Sequence, residues 1–224
     1  MGREIKYIFN LKDNNRLEFD LKFNEDHDYI PSESDIPGDW AKLENHKCKN
    51  CPLDQEEHQY CPVAKNIDAI VLKTKDKLSY EKASIRVETP ERVYLKDADT
   101  QEGLLSVFGL IMPTSGCPHL SWFKPLAKFH LPFSTIDETL FRVLSMQLVA
   151  SFLNEEKQDG QIDLLKIQEK YTQIEIVNLD FIDRIRSHCR GDADVNAVAA
   201  LDVFAKLFEF EKASNFEGIR KYFK

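Results

Sequence analysis

The chain reads as an α+β protein on three observations. Residues 17–23 alternate apolar and charged one by one, the period of a half-buried strand. Residues 82–95 alternate in the same way on either side of Thr89-Pro90-Glu91. Beyond residue 99 the apolar side chains recur three and four apart, the period of an amphipathic helix. The expectation is two N-terminal β-hairpins with a Cys-rich loop, followed by a predominantly helical C-terminal half. Residues 1–224 are read as a single domain, with 1–98 holding the hairpins and loop and 99–224 the helices.

The elements follow in order. Residues 5–9 and 17–23 flank the turn Lys12-Asp13-Asn14-Asn15, and Leu17, Phe19, Leu21 and Phe23 share one face of the second strand. Residues 24–61 hold several acids, three prolines, Gly38 and three cysteines without periodicity. An irregular stretch of that length inside a domain is usually functional or pinned by something. Val63, Ile67, Ile70 and Val71 then predict a short helix. After the second hairpin, Asp99 suits the N-cap of a helix carrying Leu104, Leu105, Phe108 and Ile111, which Thr114-Ser115-Gly116 ends. Ser134 with Asp137 reads as a capping box before a long helix through Phe141, Leu144, Leu148 and Phe152. Gly160 and Asp163 separate it from another, which runs past Ile182 and Ile185 towards His188. Gly191 and Asp192 open the last, with Val195, Val198, Ala199, Leu201 and Phe208 inside.

Composition narrows the function classes. At 42% hydrophobic and 11% aromatic, the chain can bury a real core. A net charge of -8 argues against a nucleic-acid partner, because an acidic surface repels phosphates. No apolar run approaches the roughly 20 residues of a membrane span, so no membrane partner is expected. Charge enters the N-terminus too early for a secretory segment, and residue 6 is Lys where a myristoylation signal has Ser or Thr. A cytoplasmic location is the expectation, and the reducing cytosol disfavours disulfides.

The five cysteines carry the main chemical signal. Cys48 and Cys51 form a C-x2-C pair, Cys61 follows closely and Cys117 lies far downstream. Proline succeeds three of them, as Pro52, Pro62 and Pro118. Thiolates so gathered suit a soft or borderline metal. In the leading reading Cys48, Cys51, Cys61 and Cys117 hold one ion that staples the loop to the helical half. In a second, His58 replaces Cys117 as the fourth ligand, with His46 and His119 as further substitutes. Zinc is the expected metal, and an iron–sulfur cluster is the alternative that the Cys-Pro steps raise. Cys189 reads as an inert core thiol. Were Cys117 free, its place before a helix start would ease loss of its proton, and His119 could serve as its base. That would make a thiol enzyme.

Other residues read more simply. His130, between Phe129 and Leu131, suits a satisfied core position, and Glu138 with Arg142 a surface pair. His188 and Arg190 suit a helix C-terminus closed by Gly191, with Asp192 or Asp194 capping the next helix. Asp26, Asp28, Glu33, Asp35 and Asp39 read as a solvated acidic loop, since their spacing departs from a calcium-binding loop. No Gly-rich phosphate loop, nucleophile elbow or basic–aromatic strip is present.

The blocks Cys48-Lys49-Asn50-Cys51-Pro52-Leu53, Tyr60-Cys61-Pro62-Val63-Ala64, Ser115-Gly116-Cys117-Pro118 and His130-Leu131-Pro132-Phe133 resemble those of an uncharacterised bacterial family, a domain of unknown function. Glu138-Thr139-Leu140-Phe141-Arg142 and Asp194-Val195-Asn196-Ala197 fit it too, and the resemblance covers nearly the whole chain. It implies a cytosolic bacterial protein of one domain and supplies no reaction. The sequence therefore suggests a binding or regulatory module for a protein partner, built on a metal site.

Overall fold

A computed structural model describes residues 2–12, 15–31, 37–153 and 163–223. Its strands are β1 (Arg3–Leu11), β2 (Arg16–Phe23), β3 (Tyr29–Ile30), β4 (Lys82–Glu88) and β5 (Val93–Asp99). Its helices are α1 (Pro62–Thr74), α2 (Thr100–Ile111), α3 (Lys124–Lys128), α4 (Ile136–Leu153), α5 (Leu164–Arg186), α6 (Ala193–Ala213) and α7 (Glu217–Arg220). The class is α+β, with the strands ahead of a mostly helical C-terminal half.

Both hairpins form, and they join edge to edge into one antiparallel sheet in the order β3-β2-β1-β4-β5. Tyr7 at its centre stands opposite Phe19 on one side and Val87 on the other. The alternation has the expected consequence. Ile5, Tyr7, Phe9, Phe19, Leu21, Phe23, Ile85 and Val87 are buried on one face, while the charges between them form surface pairs such as Lys6–Glu18 at 2.6 Å. α2 lies across that face. A Cβ added at Gly103 would sit 2.3 Å from the Phe9 ring and 2.6 Å from Ile85, so only glycine lets helix and sheet approach this closely. α6 packs on α2 and α5 packs on α6, which carries the core outward from the sheet. A second apolar cluster forms around Val143, Ile167, Tyr171 and Phe208.

Several terminators differ from expectation. The capping box before α4 is Thr135 with Glu138, one residue later than Ser134 with Asp137. Thr135 N–H donates to Glu138 Oε2 at 2.7 Å, and Glu138 N–H donates to Thr135 Oγ1 at 3.3 Å. Glutamate reaches back to the cap as aspartate cannot. Asp99 does precede α2, but its carboxylate makes no capping bond and pairs instead with Lys82 at 2.5 Å. The inner face of α4 is Leu140 and Val143, whereas Phe141, Leu148 and Phe152 are exposed. Gly191 does not close α5 through a left-handed conformation. A Cβ there would meet the Lys77 carbonyl at 2.1 Å, because residues 75–77 cross the junction and Lys75 O accepts from both Arg190 N and Gly191 N. Gly160, Glu33 and Asp35 lie outside the described residues.

Candidate functional site

The irregular segment is anchored at both ends before it reaches the cysteines. Trp40 is buried, its ring stacked on His188 at 5.2 Å and its indole N–H bonded to Asp68 of α1. Leu43 N–H donates to Gln59 O and Cys61 N–H to Ala41 O, at 3.0 and 2.8 Å, so the loop between them closes on itself. Cys48 and Cys51 sit in a turn at its far end, held by a 3.0 Å bond from Cys51 N–H to Cys48 O.

One stripe of α5 receives that turn. Cys48 Sγ donates to Val177 O at 4.0 Å, Lys49 N–H to Asp180 Oδ2 at 2.7 Å, and the Asn50 amide to Gln173 O at 2.9 Å. A turn further along α5, the Arg184 guanidinium donates to the carbonyls of Trp40, Lys42 and Leu43 at 2.9, 2.7 and 3.1 Å. Residues 173, 177, 180 and 184 thus form one helical face devoted to the loop. Arg184 is 1% exposed, its Nε has no partner, and no ion pair reaches it among the described residues.

Cys61 and Cys117 come to the same place from different elements. Cys61 immediately precedes α1, and the N–H groups of Val63 and Ala64 favour its thiolate without ordinary capping geometry. Cys117 begins the turn ahead of α3, where the N–H groups of His119 and Leu120 do the same for its sulfur. His119 fastens that turn to the C-x2-C loop, its Nε2 lying 2.8 Å from Asn50 O. The thiols feel one another: Cys61 and Cys117 both act on Cys48, and Cys51 acts on Cys61 and Cys117. Among the described residues, however, no three or more His, Cys, Asp or Glu side chains are set in metal-coordinating geometry. His46 and His58 are exposed.

Burial dominates the chemistry of these thiols. It pushes Cys48 up to about 12 and raises Cys61 and Cys117, while Arg184 pulls Cys48 and Cys61 back towards the thiolate. The easy deprotonation expected of Cys117 is absent here, because desolvation outweighs the helix-start N–H groups. Nor is His119 Nε2 free to act as a base, given its contact with Asn50 O. Cys189 stands apart, its thiol 3.7 Å from Asp194 Oδ2 and pushed up to about 12 by burial. Glu138 and Arg142 do not form the expected surface pair. Glu138 is occupied by the cap, and Arg142 donates to the carbonyls of Leu126 and Phe129 at 2.7 and 2.8 Å.

Sequence reasoning missed Arg184, Trp40 and His119 as the parts that join the loop to the helices. An arginine inside an otherwise apolar helical stripe (Val177, Phe181, Ile185) was the available sign of Arg184.

The class of protein so defined is a five-stranded antiparallel sheet covered by helices, with a cysteine-bearing loop docked on α5. The chain belongs to the family described as Domain of unknown function (DUF6901), whose model matches residues 5–224. No curated protein and no solved structure matches it.

Proposed function

We propose that Cys48, Cys51, Cys61 and Cys117 bind one zinc ion that staples the loop to the helical half, and that the protein is a cytosolic binding or regulatory module for a protein partner. The observation that carries this reading is the buried Arg184 guanidinium, which among the described residues reaches carbonyls but no carboxylate, and which acts on Cys48 and Cys61 within a group of interacting thiols from three separate segments. A zinc ion held by four thiolates carries a net double negative charge, and Arg184 would balance part of it. The donor set is that of closed structural zinc sites, so zinc would supply cross-linking rather than an open catalytic position. Closure requires the four side chains to turn inward and release their protons, which makes uptake stronger as pH rises. Structural zinc contributes about 10–16 kcal/mol in small peptides, far more than closing the long excursion between Cys61 and Cys117 costs. The acidic surface favours a protein partner over nucleic acid.

The test is metal content of the protein purified anaerobically, wild type beside Cys117→Ser. One zinc per wild-type chain, lost or greatly weakened in the variant, is expected. Absence of bound zinc together with no uptake of zinc or cobalt would overturn the reading. Visible absorption from a sulfide-bridged iron cluster would replace zinc with the iron–sulfur alternative. An unchanged metal content in Cys117→Ser would instead transfer the fourth position to a histidine and leave Cys117 open to the thiol-enzyme reading.

A further inference from the structure

On another side of α5 from the cysteine loop lies a cavity of about 270 Å³, walled by α2, α4, α5 and α6 and by residues 130–134. Most of its lining is aliphatic or aromatic. The exceptions are informative. Asn178 lines it and is 2% exposed, and its side-chain amide makes no hydrogen bond to protein among the described residues. Tyr171, two turns earlier on the same face of α5, also lines it, and its hydroxyl likewise has no protein partner there. With no protein partner, both groups are left to bond to whatever enters the cavity.

Gly109 of α2 supplies an independent observation. It lines the same cavity, yet a Cβ built on it would meet only Leu201, at 3.9 Å, an ordinary contact. Gly103, a turn and a half earlier, is needed for packing; Gly109 is not. Glycine inside a helix is unfavourable relative to alanine, and here its one structural effect is to leave the cavity open.

We propose that this cavity is a binding site for a small neutral amphiphile with an apolar body and an amide head that pairs with Asn178. A carboxamide matches the Asn178 side chain because each offers one acceptor and donors. Neutrality follows from the walls. His130 is held uncharged by burial, with Nε2 committed to Tyr7 Oη at 2.6 Å, Glu102 is already paired with Lys96, and Arg142 is committed to the Leu126 and Phe129 carbonyls. A 150 Å³ cavity takes benzene, so by proportion this one takes roughly ten to twelve non-hydrogen atoms. The ligand class is a medium-chain or monocyclic amide, and the site is independent of the zinc reading.

The probe is octanamide, titrated calorimetrically into the full chain beside octanoate. Saturable one-to-one binding of octanamide, tighter than octanoate, is expected. Asn178→Leu should weaken octanamide at least tenfold without loss of thermal stability. Gly109→Met should abolish binding while raising the melting temperature, since its side chain fills the space. The proposal is overturned if octanamide fails to bind saturably, if octanoate binds more tightly, or if Asn178→Leu binds octanamide as well as wild type. It is also overturned if a folded Gly109→Met keeps wild-type affinity.

Discussion

Asp194 offers a pH-dependent test of the packing between α1 and α6. Its carboxyl is 1% exposed, accepts from Thr74 Oγ1 at 2.7 Å and faces the Cys189 thiol at 3.7 Å. Burial raises it from the ordinary 3.8 to about 7, partly opposed by its hydrogen bonds to Thr74 and Cys189. In the unfolded chain the group ionises near its ordinary value. Between about pH 4 and pH 7 the folded state therefore holds a proton that the unfolded state has lost, and stability falls as pH rises. Three pH units at 1.36 kcal/mol each make the loss on the order of 4 kcal/mol, fully felt above pH 7. Asp194→Asn keeps an acceptor for Thr74 and cannot ionise. Urea unfolding of both proteins at pH 5, 6, 7 and 8 isolates the effect, because all other titrations are shared. The variant should gain on wild type by about 3 kcal/mol between pH 5 and pH 8. A difference between the two that stays constant across that range would refute the argument.

Arg184→Met strips donors from three backbone carbonyls and should cost about 3–5 kcal/mol in chemical denaturation. Arg184→Lys should not rescue it, since one ammonium cannot span the Trp40, Lys42 and Leu43 carbonyls as the fork does; a loss below about 1 kcal/mol in either would contradict the anchoring role. Thr135→Ala should cost about 1 kcal/mol by removing the cap of α4, whereas Ser134→Ala should cost clearly less, as thermal melts of the two would show. Gly191→Ala should destabilise by more than about 2 kcal/mol through the clash with the Lys77 carbonyl. A variant with wild-type stability would mean that the residue 75–77 crossing yields easily.

The elements themselves were legible. The alternation of Leu17, Phe19, Leu21 and Phe23 and the spacing of Val63, Ile67, Ile70 and Val71 record which atoms must leave water, and a period survives in the letters whatever the partner is. Caps were less legible. Ser134 and Thr135 are adjacent hydroxyls, and only the backbone geometry decides which one receives the returning carboxylate. Spacing singled out Cys48, Cys51 and Cys61 as candidates, and the Cys-Pro step singled out Cys117. Nothing local announced that the Cys117 turn would be tied to Asn50 by His119. The cavity was wholly illegible, since Tyr171, Asn178 and Gly109 are unremarkable helix residues until α2 and α5 face each other.

Sequence by itself determined the four hairpin strands, the longer helices and the candidate thiols, because these follow from short-range periods and from the chemistry of single side chains. Tertiary structure alone decided that the two hairpins share one sheet through β1 and β4, and that one face of α5 receives the cysteine loop while another lines an open cavity. Those outcomes depend on contacts between residues far apart in the chain, 82 positions for Lys6 and Glu88 and 144 for Trp40 and Arg184. Such contacts are selected by the burial and hydrogen bonding of whole surfaces, and no window of sequence contains them.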